Sequence, residues 1–285
     1  MSRSQRRKLE ERFFKAVMRV SLFGALLILS LIVFTVVQKG FRALSWNMLT
    51  QPSQGGYYLG GDEGGILNAI LGSLYLAAGA TGIALAIGLP VVFYLHAYLG
   101  RSPLANTTRL VFDVLWGIPS IVYGAFAFLL MLEIGMRASL LAGMLTLALV
   151  ELPILVRAMD EVMRLIPPDL AESTYSLGTT RLELTRILLR QTLPGLATAI
   201  LLAFGRGIGD AAAVLFTAGY TDAMPTSLSR PTASLPLAIF FQLSSPFPSV
   251  QARAYASALV LTVMILTISL LARLSLRQFS KHVIR

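Results

Sequence analysis

Six apolar stretches, each of a length to cross a lipid bilayer as a helix, punctuate the chain at about Val20–Val37, Ile66–Leu99, Leu110–Leu132, Ser139–Val156, Leu196–Ala218 and Tyr255–Leu274. A hydrocarbon core of about 30 Å takes ~20 apolar helical residues. Inside it, every backbone N–H and C=O has to be paired by the protein itself, which leaves helices and closed barrels as the spanning structures. Runs of this length predict an all-α, polytopic membrane protein with six transmembrane helices. The composition agrees, with 55% apolar residues, 13% charged residues and a mean hydropathy of +0.72. Soluble domains carry roughly a quarter charged residues, so this chain has too little polar surface for water. A cleaved signal peptide competes for the first stretch, but its apolar region would run ~7–15 residues and close on a small-residue cleavage site. No such site is seen at Val20–Val37, and the expectation is an uncleaved first helix.

The net charge of +10 raises nucleic acid as a partner. The basic residues, however, sit at the ends of the apolar stretches, so no nucleic acid is expected. Lys and Arg instead mark the cytoplasmic side of a membrane protein. Seven lie in the first nineteen residues, two at Arg101 and Arg109, five between Arg157 and Arg190, and four between Arg273 and Arg285. The opposite side carries five (Lys39, Arg42, Arg137, Arg230 and Arg253), and Arg206 lies inside the fifth stretch. Six crossings with this bias place both termini in the cytoplasm. The expected organisation is a basic N-terminus, first helix and outer loop over 1–63, a transmembrane domain over 64–275, and a cytoplasmic tail over 276–285. The outer connection 40–64 holds a glycine-rich segment from Gln54 to Gly65 that reads as loop. The outer connection 220–254 holds an apolar patch, Leu235–Phe241, too short to span. That patch reads as a re-entrant or interfacial helix, or as a surface for an external partner.

Enzyme constellations are missing. The chain has no cysteine, which removes disulfides, thiolate nucleophiles and cysteine metal sites. It has no phosphate-binding G-x-x-x-x-G-K-[ST] loop, no H-E-x-x-H and no G-x-S-x-G. His96 and His282 are far apart and read as structural, and Asn106-Thr107-Thr108 falls on the cytoplasmic side, where a glycosylation pattern is idle. If ATP drives this protein, another chain hydrolyses it. The unusual stretch is the fifth, Phe204-Gly205-Arg206-Gly207-Ile208-Gly209-Asp210-Ala211. A charge at mid-membrane costs ~2.5–3.5 kcal/mol on insertion scales. Arg206 and Asp210, four apart, fall on one helix face and can neutralise each other. The pair reads either as an aid to insertion or as an anion site, with Arg206 offering a planar fork of donors to an oxyanion. Each glycine in a helix costs about 1 kcal/mol relative to alanine. Gly205 and Gly209 have the spacing that lets another helix approach, and Gly205, Gly207 and Gly209 would also free amides for an anion if the helix unwound. In the third stretch Pro119 removes a helical hydrogen bond and kinks the helix, leaving Ser120 as a candidate pathway donor. At membrane depth, only Asp210 and Ser120 approach the groups an enzyme would need.

The long cytoplasmic connection, about 160–194, reads as two short helices with a break at Gly178, a residue free to take positive φ. Its first part runs Pro167-Pro168-Asp169-Leu170-Ala171-Glu172-Ser173-Thr174-Tyr175-Ser176-Leu177-Gly178 and is amphipathic. It reads as an interfacial helix on headgroups or as an element that docks into a partner protein.

Glu172-Ser173-Thr174, Gly178 and Leu193-Pro194 resemble the E-A-A…G…L-P loop of type I ABC importer permeases, with Ser173 and Thr174 where that loop has alanines. The order Gly117-Ile118-Pro119-Ser120-Ile121-Val122, Gly124, then Gly205-Arg206-Gly207-Ile208-Gly209-Asp210-Ala211 and Leu215-Phe216-Thr217-Ala218 is similar to the phosphate-specific transport permeases. Their fifth helix typically reads A-R-x-x-G-E-T-A-P-L-L-F-T-A, so Asp210 stands for Glu and Ala211-Ala212-Ala213 for Thr-Ala-Pro. Leu235–Phe240 and Ser245-Pro246-Phe247 resemble the outer loop of the permease subunit that pairs with PstC. The resemblance covers about 64–275 and implies a type I ABC importer permease fold in the bacterial cytoplasmic (inner) membrane. It implies a second, PstC-like permease, two PstB-like ATPase subunits that bind ATP and Mg, and an outer PstS-like phosphate-binding protein. This chain would hold no cofactor, no metal and no catalytic residue. Its substrate pathway would use Arg206, Asp210, Ser120, Gly205, Gly207 and Gly209. Its ATPase coupling would use Asp169, Glu172, Ser173, Thr174, Tyr175, Leu177 and Gly178. A permease for another oxyanion, such as sulfate or molybdate, and a membrane-embedded enzyme are the alternatives.

Overall fold

The computed structural model describes residues 3–54, 64–100 and 102–279. The glycine-rich residues 55–63, Arg101, and the tail from Ser280, with His282, lie outside the described residues. Ten α-helices follow in order: α1 Arg3–Ala43, α2 Trp46–Thr50, α3 Leu67–Tyr94, α4 Pro103–Trp116, α5 Ser120–Glu133, α6 Leu140–Arg164, α7 Pro168–Ser176, α8 Arg181–Ile208, α9 Leu235–Leu243 and α10 Pro248–Phe279. A π turn, Leu95–Leu99, extends α3, and no strand occurs among the described residues. Five helices (α1, α3, α6, α8 and α10) are each long and apolar enough to cross a membrane, and α4 with α5 makes a sixth, broken candidate.

α3 and α6 form the centre, α8 lies across both, and α1 packs on the rest through α10. Lipid is as apolar as leucine, so association in a membrane rests on close packing and small residues rather than on hydrophobic drive. The central seam fits that rule: Ala80 and Ala84 of α3, Ala148 of α6 and Ala199 and Ala203 of α8 are buried together with Leu147, Leu155 and Met159. A Cβ on Gly88 of α3 would already touch Val156 and Met159 of α6.

Side chains start the helices where the sequence offers them. Ser102, Ser139 and Ser234 each accept an amide hydrogen bond from the third residue on, satisfying one of the orphan donors at a helix start. Thr180 and Glu183 form a reciprocal capping box at α8. The amides at the start of α6 are taken by the outer segment after α8: Ser139 N–H donates to Thr217 O and Leu140 N–H to Arg230 O. That segment is therefore a folded lid on the central helices. The apolar patch within it is the helix α9, packed on α10 and α3 with Leu235 and Leu237 fully buried and the Leu235 amide bonded to Ser73.

Three expectations change. The third stretch is two helices bent by 96° rather than one kinked span. Proline disfavours helical geometry in the residue before it, so Ile118 leaves the helix and Pro119 stands at the N-cap of α5. The fifth stretch is helical only to Ile208, and residues 211–218 continue as turns and bends. The second cytoplasmic helix is not short, because it runs unbroken through Pro194 into the fifth span as α8. The first short helix, α7, and the break at Gly178, with φ +77°, stand as read.

Candidate functional site

The last turn of α8 carries Arg206, where the negative end of the helix dipole favours a cation. Its side chain is 56% exposed and borders a cavity of about 310 Å³. Leu115, Trp116 and Ile118 at the α4–α5 break, Tyr123 of α5, Val150 and Ile154 of α6, and Leu202 of α8 complete the wall. The break is thus part of the site, and the Tyr123 hydroxyl, donating to Leu115 O at 2.9 Å, ties its two arms together. Apolar walls around one guanidinium lower the local dielectric, which strengthens its attraction for an anion.

Asp210 does not share a helix face with Arg206, because α8 has ended before it. Gly209 is the C-cap, and Asp210 Oδ1 accepts the Ala213 amide at 3.0 Å, the local side-chain turn that aspartate favours outside helices. Its other oxygen remains 3.7 Å from Arg206 Nη2, and its side chain is 5% exposed. That separation exceeds a charge-assisted hydrogen bond of ~2.7–2.9 Å, so Asp210 lies beside the guanidinium without a direct hydrogen bond to it.

The three glycines divide. A Cβ at Gly205 would meet nothing within 4 Å, and one at Gly209 would meet only the backbone of its own helix end. Within this chain the close helix–helix approach is at Gly207, where an added Cβ would overlap Glu151 Oε1 of α6. Ser120 opens α5, half-buried, and does not line the Arg206 cavity.

Glu151 escaped the sequence reading. It is fully buried in α6, with Thr81 of α3 donating to its Oε2 at 2.7 Å. Its signal was a lone acidic residue inside an apolar span, which by itself marks function. Asp160, also on α6 and 1% exposed, gathers His96 Nε2 at 2.8 Å, Arg109 Nε at 3.1 Å and Arg164 Nη2 at 3.0 Å. It joins the π turn, α4 and α6 next to the coupling segment and gives His96 its structural role.

Of the residues expected to couple to an ATPase, Glu172, Ser173, Tyr175, Leu177 and Gly178 are exposed, as is Asp169 in the first turn of α7. Thr174 is the exception: it is buried, bonded to Leu170 O, and faces the bundle. Leu177, 84% exposed beside the half-open ring of Tyr175, is an apolar tip left uncovered by the described residues. No group of three or more metal-ligating residues occurs among the described residues.

The family described as binding-protein-dependent transport system inner membrane component matches residues 82–285. The chain is 37% identical over 257 residues to the phosphate transport system permease protein PstA of Yersinia pestis, covering 90% of this chain and 86% of that one. It is 32% identical over 270 residues to the phosphate transport system permease protein PstA 1 of Mycobacterium tuberculosis, covering 94% and 88%. Among solved structures, an inward-facing MetNI methionine ABC transporter superposes with a TM-score of 0.62 at 19% identity, covering 75% of this chain and 95% of that one. An amino acid ABC transporter gives 0.55 at 18% identity, covering 75% and 93%. The two solved structures share the fold of this chain.

Proposed function

The chain belongs to the binding-protein-dependent transport system inner membrane components, and from that premise we propose that it is a permease subunit of an ATP-driven importer carrying inorganic phosphate across the bacterial inner membrane. One observation carries the reading: the likeness to phosphate permeases runs over 90% of the chain and includes the α8 end that sets Arg206 on a cavity. The basic residues at the α7 end of the bundle orient that end to the cytoplasm, and the six crossings return both termini there.

Transport needs no covalent step in this chain. It needs a cargo with different affinities for two states. Arg206 lowers the barrier for a phosphate dianion crossing the low-dielectric interior. Asp210 holds the guanidinium and accepts a hydrogen bond from the protonated phosphate oxygen, which sulfate lacks at neutral pH. Gly207 lets α8 seat against α6, while Gly205 and Gly209 leave the backbone beside the guanidinium open to the cargo. Ser120 contributes a hydroxyl to the pathway when the α4–α5 break opens. One guanidinium facing one cavity is half a lining, and a PstC-like second permease supplies the other half.

α7 docks into a PstB-like ATPase through Asp169, Glu172, Ser173, Tyr175 and Leu177. Gly178 sets the angle between α7 and α8, and Thr174 anchors α7 to the bundle. ATP and Mg are bound by the two ATPase chains, and a PstS-like protein delivers phosphate from outside. Because α8 is one continuous helix from Arg181 to Ile208, displacement at the α7 joint moves Arg206 as a rigid lever. The test is ATP hydrolysis by the reconstituted complex. Stimulation by phosphate-loaded binding protein and not by sulfate or molybdate supports the reading; stimulation by either of the latter alone replaces the cargo. Mass spectrometry of chains co-purifying in mild detergent tests the partners, and a solitary chain would overturn them.

A further inference from the structure

We propose that Glu151 is a positioning residue of the pathway: its carboxyl group seats the Arg206 turn of α8 against α6 and α3. The inference rests on the phosphate-permease reading only for the cargo. Glu151 lies where three helices meet. It is fully buried on α6, Thr81 of α3 bonds its Oε2 at 2.7 Å, and Gly207 of α8 presses on its Oε1 so closely that a Cβ would overlap it. Gly207 directly follows Arg206, and Val150 and Ile154, neighbours of Glu151 on α6, wall the Arg206 cavity. α6 therefore meets the α8 end through the Glu151–Gly207 approach and also supplies Val150 and Ile154 to the cavity that Arg206 borders.

The chemistry is costly for a packing role alone. Oε1 is buried without a hydrogen-bond partner, and no cation pairs with Glu151 among the described residues. Buried unpaired polar atoms are disfavoured by ~1–3 kcal/mol, and an apolar residue of similar volume generally packs such a position at no loss. A glycine facing it adds a further cost in helix propensity. What the arrangement supplies is a fixed rotation of α8. The Thr81 bond pins the carboxyl plane, Gly207 can meet that plane at one rotation only, and the rotation decides where Arg206 points.

The test uses the full transporter in proteoliposomes, with Leu202→Cys as a reporter on the same cavity wall in a chain that has no other cysteine. Gly207→Ala is expected to lower phosphate uptake about tenfold or more and to change the rate at which a thiol reagent labels the reporter. Adding Glu151→Ala makes room for the new methyl group, so the double variant is expected to recover about fivefold in uptake over Gly207→Ala, while labelling stays shifted from the parent rate because the carboxyl that sets the rotation is gone. Glu151→Gln keeps the shape and the Thr81 bond, so it is expected to hold uptake within about threefold of the parent with unchanged labelling. The inference is overturned if the double variant is no better than Gly207→Ala. It is equally overturned if Glu151→Gln falls as far as Glu151→Ala alone, which would assign the role to charge rather than placement. Labelling does not depend on the anion, so a parent complex that fails to move phosphate refutes the cargo and leaves the positioning test readable.

Discussion

Asp160→Ala is expected to loosen three parts of the bundle at once. The carboxylate is 1% exposed and accepts from His96 at 2.8 Å on the π turn, from Arg109 at 3.1 Å on α4 and from Arg164 at 3.0 Å on α6, with Arg157 Nη1 at 3.7 Å. Removing one partner of a buried ion pair costs about 3–5 kcal/mol, because the remaining charge is stranded. Not every cation here is stranded. Arg164 is 45% exposed and Arg157 keeps Asp113 at 2.7 Å, so both retain water or a second partner. Arg109 is 14% exposed, and among the described residues its ion pair is with Asp160 alone. Discounting the solvated members gives about 2–4 kcal/mol for alanine. Asparagine keeps an acceptor and the shape and should lose about half of that. At about 2–4 °C per kcal/mol for a chain of this size, thermal unfolding of the alanine variant in detergent should fall by about 5–15 °C. The tryptophans at Trp46 and Trp116 give the fluorescence signal. A midpoint within about 2 °C of the parent would mean that the cluster does not hold these helices together.

Three further outcomes are expected. Arg206→Gln should reduce phosphate uptake to background while leaving the amount of assembled complex unchanged, and normal uptake would remove the guanidinium from the pathway. Asp210→Asn should narrow the ratio of phosphate to sulfate transport, and an unchanged ratio would leave Asp210 as a turn-former only. Cysteines at Tyr175 or Leu177, paired with cysteines on the ATPase, should crosslink. The same experiment at Thr174 should fail, because that side chain faces the bundle.

The spans were legible because hydropathy over a long window is a local property, and α1, α3, α6, α8 and α10 each carry it within one segment. The breaks were less legible. Gly117 and Pro119 announce a disruption, but a proline in an apolar run gives the same composition whether it kinks a helix or starts one. The bend of 96° was decided by Ile118, which the proline ring pushes out of helical geometry. At the end of α8, the glycines at 205, 207 and 209 weakened the helix as propensity requires. The apolar residues Ala211 to Ala218 still read as helix because burial and helicity give the same hydropathy. Those residues are packed as turns beside α6, where the Ser139 amide at the helix start donates to the Thr217 carbonyl.

The site was half legible for a related reason. Arg206 stood out because glycines surround it, whereas Glu151 was hidden by leucines and valines that keep the window apolar. The Asp160 cluster has no local signature at all, since His96 and Arg109 reach it across 64 and 51 residues of chain. These two acidic residues nonetheless sit on one helix, and that placement orders the mechanism. Asp160 ties the end of α6 nearest α7 to α4 and the π turn that extends α3, and Glu151, nine residues nearer the centre, ties α6 to α3 and α8. α6 therefore keeps its bonds to α3 and its extension at both levels, while α8 meets Glu151 through a glycine contact that carries no hydrogen bond. In the cycle proposed above, a push on α7 would reach α8 through the joint at Gly178, and the residue in the far turn of that helix is Arg206.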